Sequence, residues 1–250
     1  MKTALLFLSV FLSANFFGQN VYIPDANFKA YLVGNSEINT NGDTEIQVSE
    51  ASVFNGTINC YGSFISDLTG IQDFIAFTSL ACGENQITSL DVSQNTALKT
   101  IISHHNDSLT YLNVSGCTAL EYIWCAWNDL TSLDLSSNTA LKTLKLSNNL
   151  LTSLDVSNNT SLQLLICRFN NLTSLDVSNN PALTSLDVHY NQIDCLNLAN
   201  GNNTNLDTIQ ISNQFWGQGG TNYSCIEVDD VNYSTTNWFP DYPYSEDCGN

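Results

Sequence analysis

"LTSLDVSNN", residues 151–159, recurs letter for letter at residues 172–180, with the variants "ITSLDVSQN" at 87–95 and "LTSLDLSSN" at 130–138. Their central leucines are Leu90, Leu133, Leu154 and Leu175, and Leu112 and Leu196 complete the series in steps of 22, 21, 21, 21 and 21 residues. A second pattern, LxxLxLxxN, fills the gaps and opens at Phe77, Leu98, Leu120, Leu141, Leu162, Leu183 and Leu206. "TINCYGS" around Cys60 is a degenerate earlier copy. In LxL the two leucines point to one side and their neighbour to the other, as strand alternation demands. One such unit cannot bury its leucines alone, so consecutive units must stack into a continuous core.

The full unit, LxxLxLxxNxLxxLDVSxN, resembles the bacterial leucine-rich repeat of the 21-residue type over about residues 57–214. The resemblance implies a leucine-rich-repeat solenoid that is mostly β. Short parallel strands are expected on its concave side and on its convex side, with a small helical cap at the N-terminus. The organisation expected is a signal peptide at 1–18, a helix-loop-helix cap at 19–56, repeats at 57–214 and a C-terminal cap at 215–250. Asn85, Asn106, Asn128, Asn149, Asn170 and Asn191 share one turn position. They are expected to satisfy buried backbone groups of adjacent coils where regular pairing stops. Cys60, Cys82, Cys125 and Cys167 occupy an inward position held elsewhere by Leu146, Val188 and Ile211, and read as small core hydrophobes rather than a metal site.

The chain has 250 residues and a net charge of −18, with only 6 Lys and Arg, which argues against nucleic acid and against anionic membrane surfaces. A hydrophobic fraction of 43% argues against disorder. The N-terminal "MKTALLFLSVFLSANFFGQN" reads as a secretory signal, with cleavage expected after Gly18, and no later segment reads as a membrane span. The expected location is outside the cell or on its surface.

The segment 39–50, "NTNGDTEIQVSE", resembles the calcium loop of EF-hand and dockerin-like proteins. The resemblance implies a structural calcium held by Asn39, Asn41, Asp43, the Glu45 carbonyl, Gln47 and Glu50. Thr44 stands where the family has its turn glycine, and Asn39 where it has aspartate. At the other end, "CIEVDD", "YSTTNW" and "YSEDC" are similar to the closing segment of secreted bacterial leucine-rich-repeat proteins. In an exported chain Cys225 and Cys248 are expected to pair there, with Cys195 a competitor for either.

The two halves of the repeat differ in what they hold constant. The constant strand keeps Ser89, Ser132, Ser153 and Ser174, then Asp91, Asn113, Asp134, Asp155, Asp176 and Asn197, at its outward positions. The other strand varies and carries His104, His105 and His189, together with Lys99, Lys142, Lys145 and Arg168. Aromatic anchors on a concave surface suit partner binding, so Tyr122, Trp124, Trp127, Lys145, Arg168, Phe169, His189 and Tyr190 are the candidate ligand-binding residues. No hydrolase elbow, phosphate loop or zinc motif is present in the sequence, so an enzyme is not expected. The expectation is a binding or adhesion module for an extracellular protein or glycan. The competing readings are an ice- or cation-binding protein using the Thr, Ser and Asp ladders, and a surface spacer.

Overall fold

The computed structural model describes residues 18–212, 223–239 and 241–248. The apolar core of the expected leader lies outside these. The chain winds as a parallel β-solenoid. Its main sheet has eight strands: β1 (Thr57–Asn59), β2 (Ser79–Ala81), β4 (Thr100–Ile102), β6 (Tyr122–Trp124), β7 (Thr143–Lys145), β8 (Leu164–Ile166), β10 (Ser185–Asp187) and β12 (Thr208–Gln210). Every pairing is parallel and in register, so Leu80, Ile101, Ile123, Leu144, Leu165 and Leu186 lie one behind another, fully buried. Each strand is only three residues long and presents one inward residue, the other buried residues of each coil lying on its turns and on the constant half.

The constant half pairs less completely. β3 (Ser89–Asp91) and β5 (Tyr111–Asn113) form one short sheet. β9 (Ser174–Asp176), β11 (Cys195–Asn197), β13 (Cys225–Glu227) and β14 (Tyr244–Ser245) form another. Residues 132–134 and 153–155 belong to no strand. Strand pairing beneath the expected Asp ladder therefore lapses in the middle coils, at Asp134 and Asp155.

Two asparagine ladders close the corners. In the first, the Nδ2 of Asn149 donates to the Cys125 and Leu146 carbonyls at 2.9 and 3.0 Å, and its Oδ1 accepts from the Leu130 N–H at 3.1 Å. Asn170 and Asn191 repeat this arrangement one and two coils on. The second ladder, Asn95, Asn138, Asn159 and Asn180, ends the constant phrase and went unread in the sequence. Asn159 Nδ2 donates to the Leu135 and Asn138 carbonyls at 3.2 and 2.8 Å, while its buried Oδ1 has no partner. Cys117 stands in this second ladder, with its thiol on the Val92 carbonyl at 3.1 Å. Burial pushes that thiol up to about 12, which leaves it inert.

Both ends are plugged. Helix α1 (Ala26–Val33) buries Phe28 and Leu32 completely over the first coil. Asp25 caps it, accepting from the Asn27 and Phe28 N–H groups, and its second oxygen accepts from the Ser66 N–H and hydroxyl. Tyr31 Oη takes the N–H of Asn59 at 2.8 Å, on the outermost strand of the main sheet. Such capping of an open edge blunts further strand addition. Helix α2 (Val48–Ala51) follows the 39–50 loop. At the C-terminal end helix α3 (Val231–Asn237) is capped by Asp230, and a disulfide joins Cys225 to Cys248. Cys195, the competitor, is a free thiol on the neighbouring strand in direct register with Cys225.

Candidate functional site

Seven non-glycine residues have left-handed backbone: Phe64, Glu84, His105, Trp127, Asn148, Phe169 and Tyr190, with φ between 51° and 58°. Six of them, from Glu84 to Tyr190, fall at one place in successive coils, just after each main-sheet strand and just before the first asparagine ladder; Gly62 holds that place in the first coil, and Phe64 lies two residues beyond it. Asparagine and glycine adopt this conformation cheaply, whereas bulky side chains are strained by roughly 1 kcal/mol or more apiece. Only Asn148 is the inexpensive choice. The chain places rings at four of the six positions, His105, Trp127, Phe169 and Tyr190, and Trp127 is 51% exposed.

The rings stack from coil to coil. His105 lies flat against Trp127, with centroids 5.4 Å apart and planes at 10°. Phe169 and Tyr190 do the same at 4.4 Å and 19°. One layer closer to the strand, His104 stacks on Trp124 at 4.1 Å and touches Tyr61. His104 is buried, not the outward residue that strand alternation suggested, and its Nδ1 has no hydrogen-bond partner. Burial, with the neighbouring His105 adding to it, lowers its pKa and keeps the ring neutral. Ala126 and Ser147, in the same column, are buried as well.

Charge on this face is sparse. Lys145 Nζ sits 5.6 Å from the ring centroids of both Tyr122 and Trp124. Lys142 pairs with Glu121 at 2.6 Å, and Arg168 reaches Asp187 only at 4.0 Å while lying 6.0 Å from the Phe169 ring. His189 meets Asp187 through its Nδ1. Among the described residues Lys145 has no carboxylate within ion-pair distance. All eight candidate residues thus lie on or beside the main sheet, in the coils containing β6, β7, β8 and β10. Tyr122, Trp124 and Trp127 form one aromatic group, Phe169, His189 and Tyr190 another, and Lys145 lies between them. The sequence marked the residues but not the backbone conformation that aims them. A ring at the position of Asn148 was the available signal.

The 39–50 loop folds differently from a calcium-bound one. Asn41, Asp43, Glu45, Gln47 and Glu50 do line one open hollow. The Glu50 carboxylate, however, is occupied by its own loop. Oε1 accepts from the Thr40 N–H, the Thr40 hydroxyl and the Asn41 N–H, and Oε2 accepts from the Gln47 N–H. Burial raises the Glu50 pKa, but those hydrogen bonds, led by Gln47, outweigh it and leave it lowered. Asp43 Oδ2 is met by carboxamide N–H groups of Asn41 and Gln47 at 3.1 and 3.0 Å. Glu45 pairs through its side chain with Lys29 at 2.6 Å. Asn39 turns its Nδ2 inward to the Val33 and Asp43 carbonyls. Donors point where a cation would stand, so the residues as arranged do not fit the calcium expectation. Glu50 acts instead as a capping carboxylate for α2.

Comparison with known proteins adds the following. No family model matches the chain. Over 78 residues, 31% of this chain, it is 38% identical to Internalin J of Listeria monocytogenes serotype 4b, and that stretch is 8% of the relative's length. Among solved structures, the functional domain of InlJ from Listeria monocytogenes, which includes a cysteine ladder, superposes with a TM-score of 0.47 at 22% identity. That match covers 86% of this chain and 68% of the other. Internalin C2 from the same species gives 0.45 at 18% identity, covering 82% and 93%. TLR13 in its complex with ssRNA13 gives 0.48 at 18% identity, covering 72% and 27%. The solenoid assignment rests on the strand pairing itself. No helix among the described residues is long and apolar enough to cross a membrane.

Proposed function

We propose that this protein is a secreted or surface-exposed, non-enzymatic binding module that engages an extracellular partner across the main sheet, between Trp127 and Tyr190. The observation that carries this reading is the row of rings on left-handed backbone. Folding alone favours Asn or Gly there, as in the Asn148 coil, so strained and exposed rings point to selection for contact. The 38% identity to Internalin J over 78 residues supports a shared repeat scaffold beneath that surface. The alternative, ice or cation binding by the Ser and Asp ladder, needs an unbroken flat array. Backbone strand pairing under that array lapses at residues 132–134 and 153–155.

The test compares the two faces. Immobilised extracellular proteins and glycans are screened with the wild type, and the strongest binder is then measured with Trp127→Ala and Asp155→Ala. Trp127 is half exposed, so its truncation leaves the core untouched. Trp127→Ala is expected to weaken binding by about 2 kcal/mol, roughly thirtyfold, and Asp155→Ala by almost nothing. The reverse pattern would move the working surface to the constant face.

A further inference from the structure

The two ring stacks on the main sheet are separated by a single coil, and the separation has a definite shape. His105 covers one face of Trp127 from the preceding coil, so the other face of Trp127 looks toward Asn148. Tyr190 covers one face of Phe169 from the following coil, so the other face of Phe169 also looks toward Asn148. At the coil between these walls stands the short Asn148 side chain, with Ser147 buried beside it and the Arg168 guanidinium 6.0 Å from the Phe169 ring. The walls are two coils apart, about 9.6 Å at the usual strand spacing. Resting on that reading of the sheet as a binding surface, we propose that this notch is a carbohydrate subsite that clamps one anionic pyranose ring, such as a uronic acid within an acidic glycan.

Width selects the guest. A flat aromatic ring sandwiched in van der Waals contact with two walls needs about 7 Å, two contacts of about 3.5 Å. A pyranose is puckered and meets each wall through C–H groups, so its carbons and two contacts of about 4 Å fill about 9 Å. Charge selects the substituent. The Lys145 ammonium, 5.6 Å from the ring centroids of Tyr122 and Trp124, borders the notch and has no carboxylate partner among the described residues. The nearest acid of the following coils, Asp187, is already engaged by His189 and Arg168. In a chain of net charge −18, one cation left unpaired on an aromatic bed is a specific place for a carboxylate.

The experiment titrates the whole mature protein with three probes: oligogalacturonate, a neutral cello-oligosaccharide and poly-glutamate. Tryptophan fluorescence and calorimetry report binding. The wild type is expected to bind oligogalacturonate at least tenfold more tightly than the other two. Asn148→Phe should abolish that binding by filling the notch. The substitution is compatible with the fold because Phe169 already occupies the equivalent position one coil on, and an unchanged melting temperature checks it. Lys145→Gln should reduce oligogalacturonate to the affinity of the neutral sugar, roughly tenfold or more, the size of one charged contact. Equal binding of poly-glutamate, in competition with the sugar, would show an acidic peptide as the guest and overturn the carbohydrate assignment while leaving the binding surface in place. Oligogalacturonate binding that survives Asn148→Phe would overturn the notch. Failure of all three probes would overturn the ligand class, whereas loss of the Trp127→Ala effect on a screened partner would overturn the surface itself.

Discussion

Residues 151–159 and 172–180 spell the same nine letters and fold differently. In the second copy Ser174–Asp176 is strand β9, paired with β11, and the Val177 N–H donates to the Asn197 carbonyl at 2.9 Å. In the first copy residues 153–155 pair with nothing, and an open groove of about 270 Å³ lies between Ser153–Asp155–Ser157 and Ser174–Asp176. Other features are copied faithfully. Asp155 accepts from the Ser157 N–H at 2.9 Å and Asp176 from the Ser178 N–H at 2.8 Å. Asn159 and Asn180 each donate to two carbonyls of the coil before. Contacts within reach of the phrase are thus specified by the phrase, while strand pairing depends on what lies alongside. On this side pairing persists toward the two ends, in β3–β5 and in the sheet closed by β14, and lapses in between.

The largest expected effect falls outside both copies. Asn149→Ala would strand the Leu130 N–H and the Cys125 carbonyl in the core, while the Leu146 carbonyl keeps its bond from Asn170. A buried orphan costs about 1–3 kcal/mol, so a loss of about 4 kcal/mol is expected in urea denaturation. A loss below 1 kcal/mol would show that water replaces the ladder.

Next come the two copies themselves. Asn159→Ala and Asn180→Ala each remove the second bond from two carbonyls, which keep a backbone N–H apiece, and also delete an unpartnered oxygen. About 2 kcal/mol apiece is expected, equal within about 0.5 kcal/mol, because the ladder is local to the phrase. A clear inequality would mean that strand pairing feeds back on the turn, and the comparison would need redrawing.

Hydrogen exchange then reads the difference directly. The Val177 amide, bonded across to Asn197, is expected to exchange at least tenfold more slowly than that of Val156, since ladder bonds set local opening. Equal protection of the two amides would break the distinction.

The smallest effect belongs to the N-terminal cap, where charge rather than repetition does the holding. Glu50→Gln is expected to lower stability by about 1 kcal/mol at neutral pH, in the range of lost helix caps. The folded pKa of Glu50 is lowered, so its contribution is complete above the ordinary value of 4.5 and disappears as pH falls through the folded value. Thermal melts from pH 7 to pH 3 should show this slope in the wild type and a shallower one in the variant. Calcium and chelator should leave the wild-type melting temperature unchanged. A rise with calcium would show the loop opening to release Glu50 from its backbone donors.

Much of this was legible in the letters. The 21-residue step and the inward leucines define a stacked parallel solenoid, because a coil with one buried residue per strand has nowhere else to put it. The buried cysteine column and the bonds of the Asn149 series follow from residue type and spacing, whereas the choice of Cys248 over Cys195 as the partner of Cys225 stayed open in the sequence. Other features were decided only in three dimensions. Oxygen spacing at Asn39–Glu50 read as a metal loop, but whether a carboxylate faces an ion or an N–H depends on how α2 docks. His104 alternated outward on paper, yet Tyr61 and Trp124 from adjoining coils close over it. The notch at Asn148 exists because rings 21 residues to either side turn their free faces toward it. In each case the deciding partner comes from another coil or another element, which repeat spacing brings near but whose side-chain direction and hydrogen bonds form only once the coils are stacked.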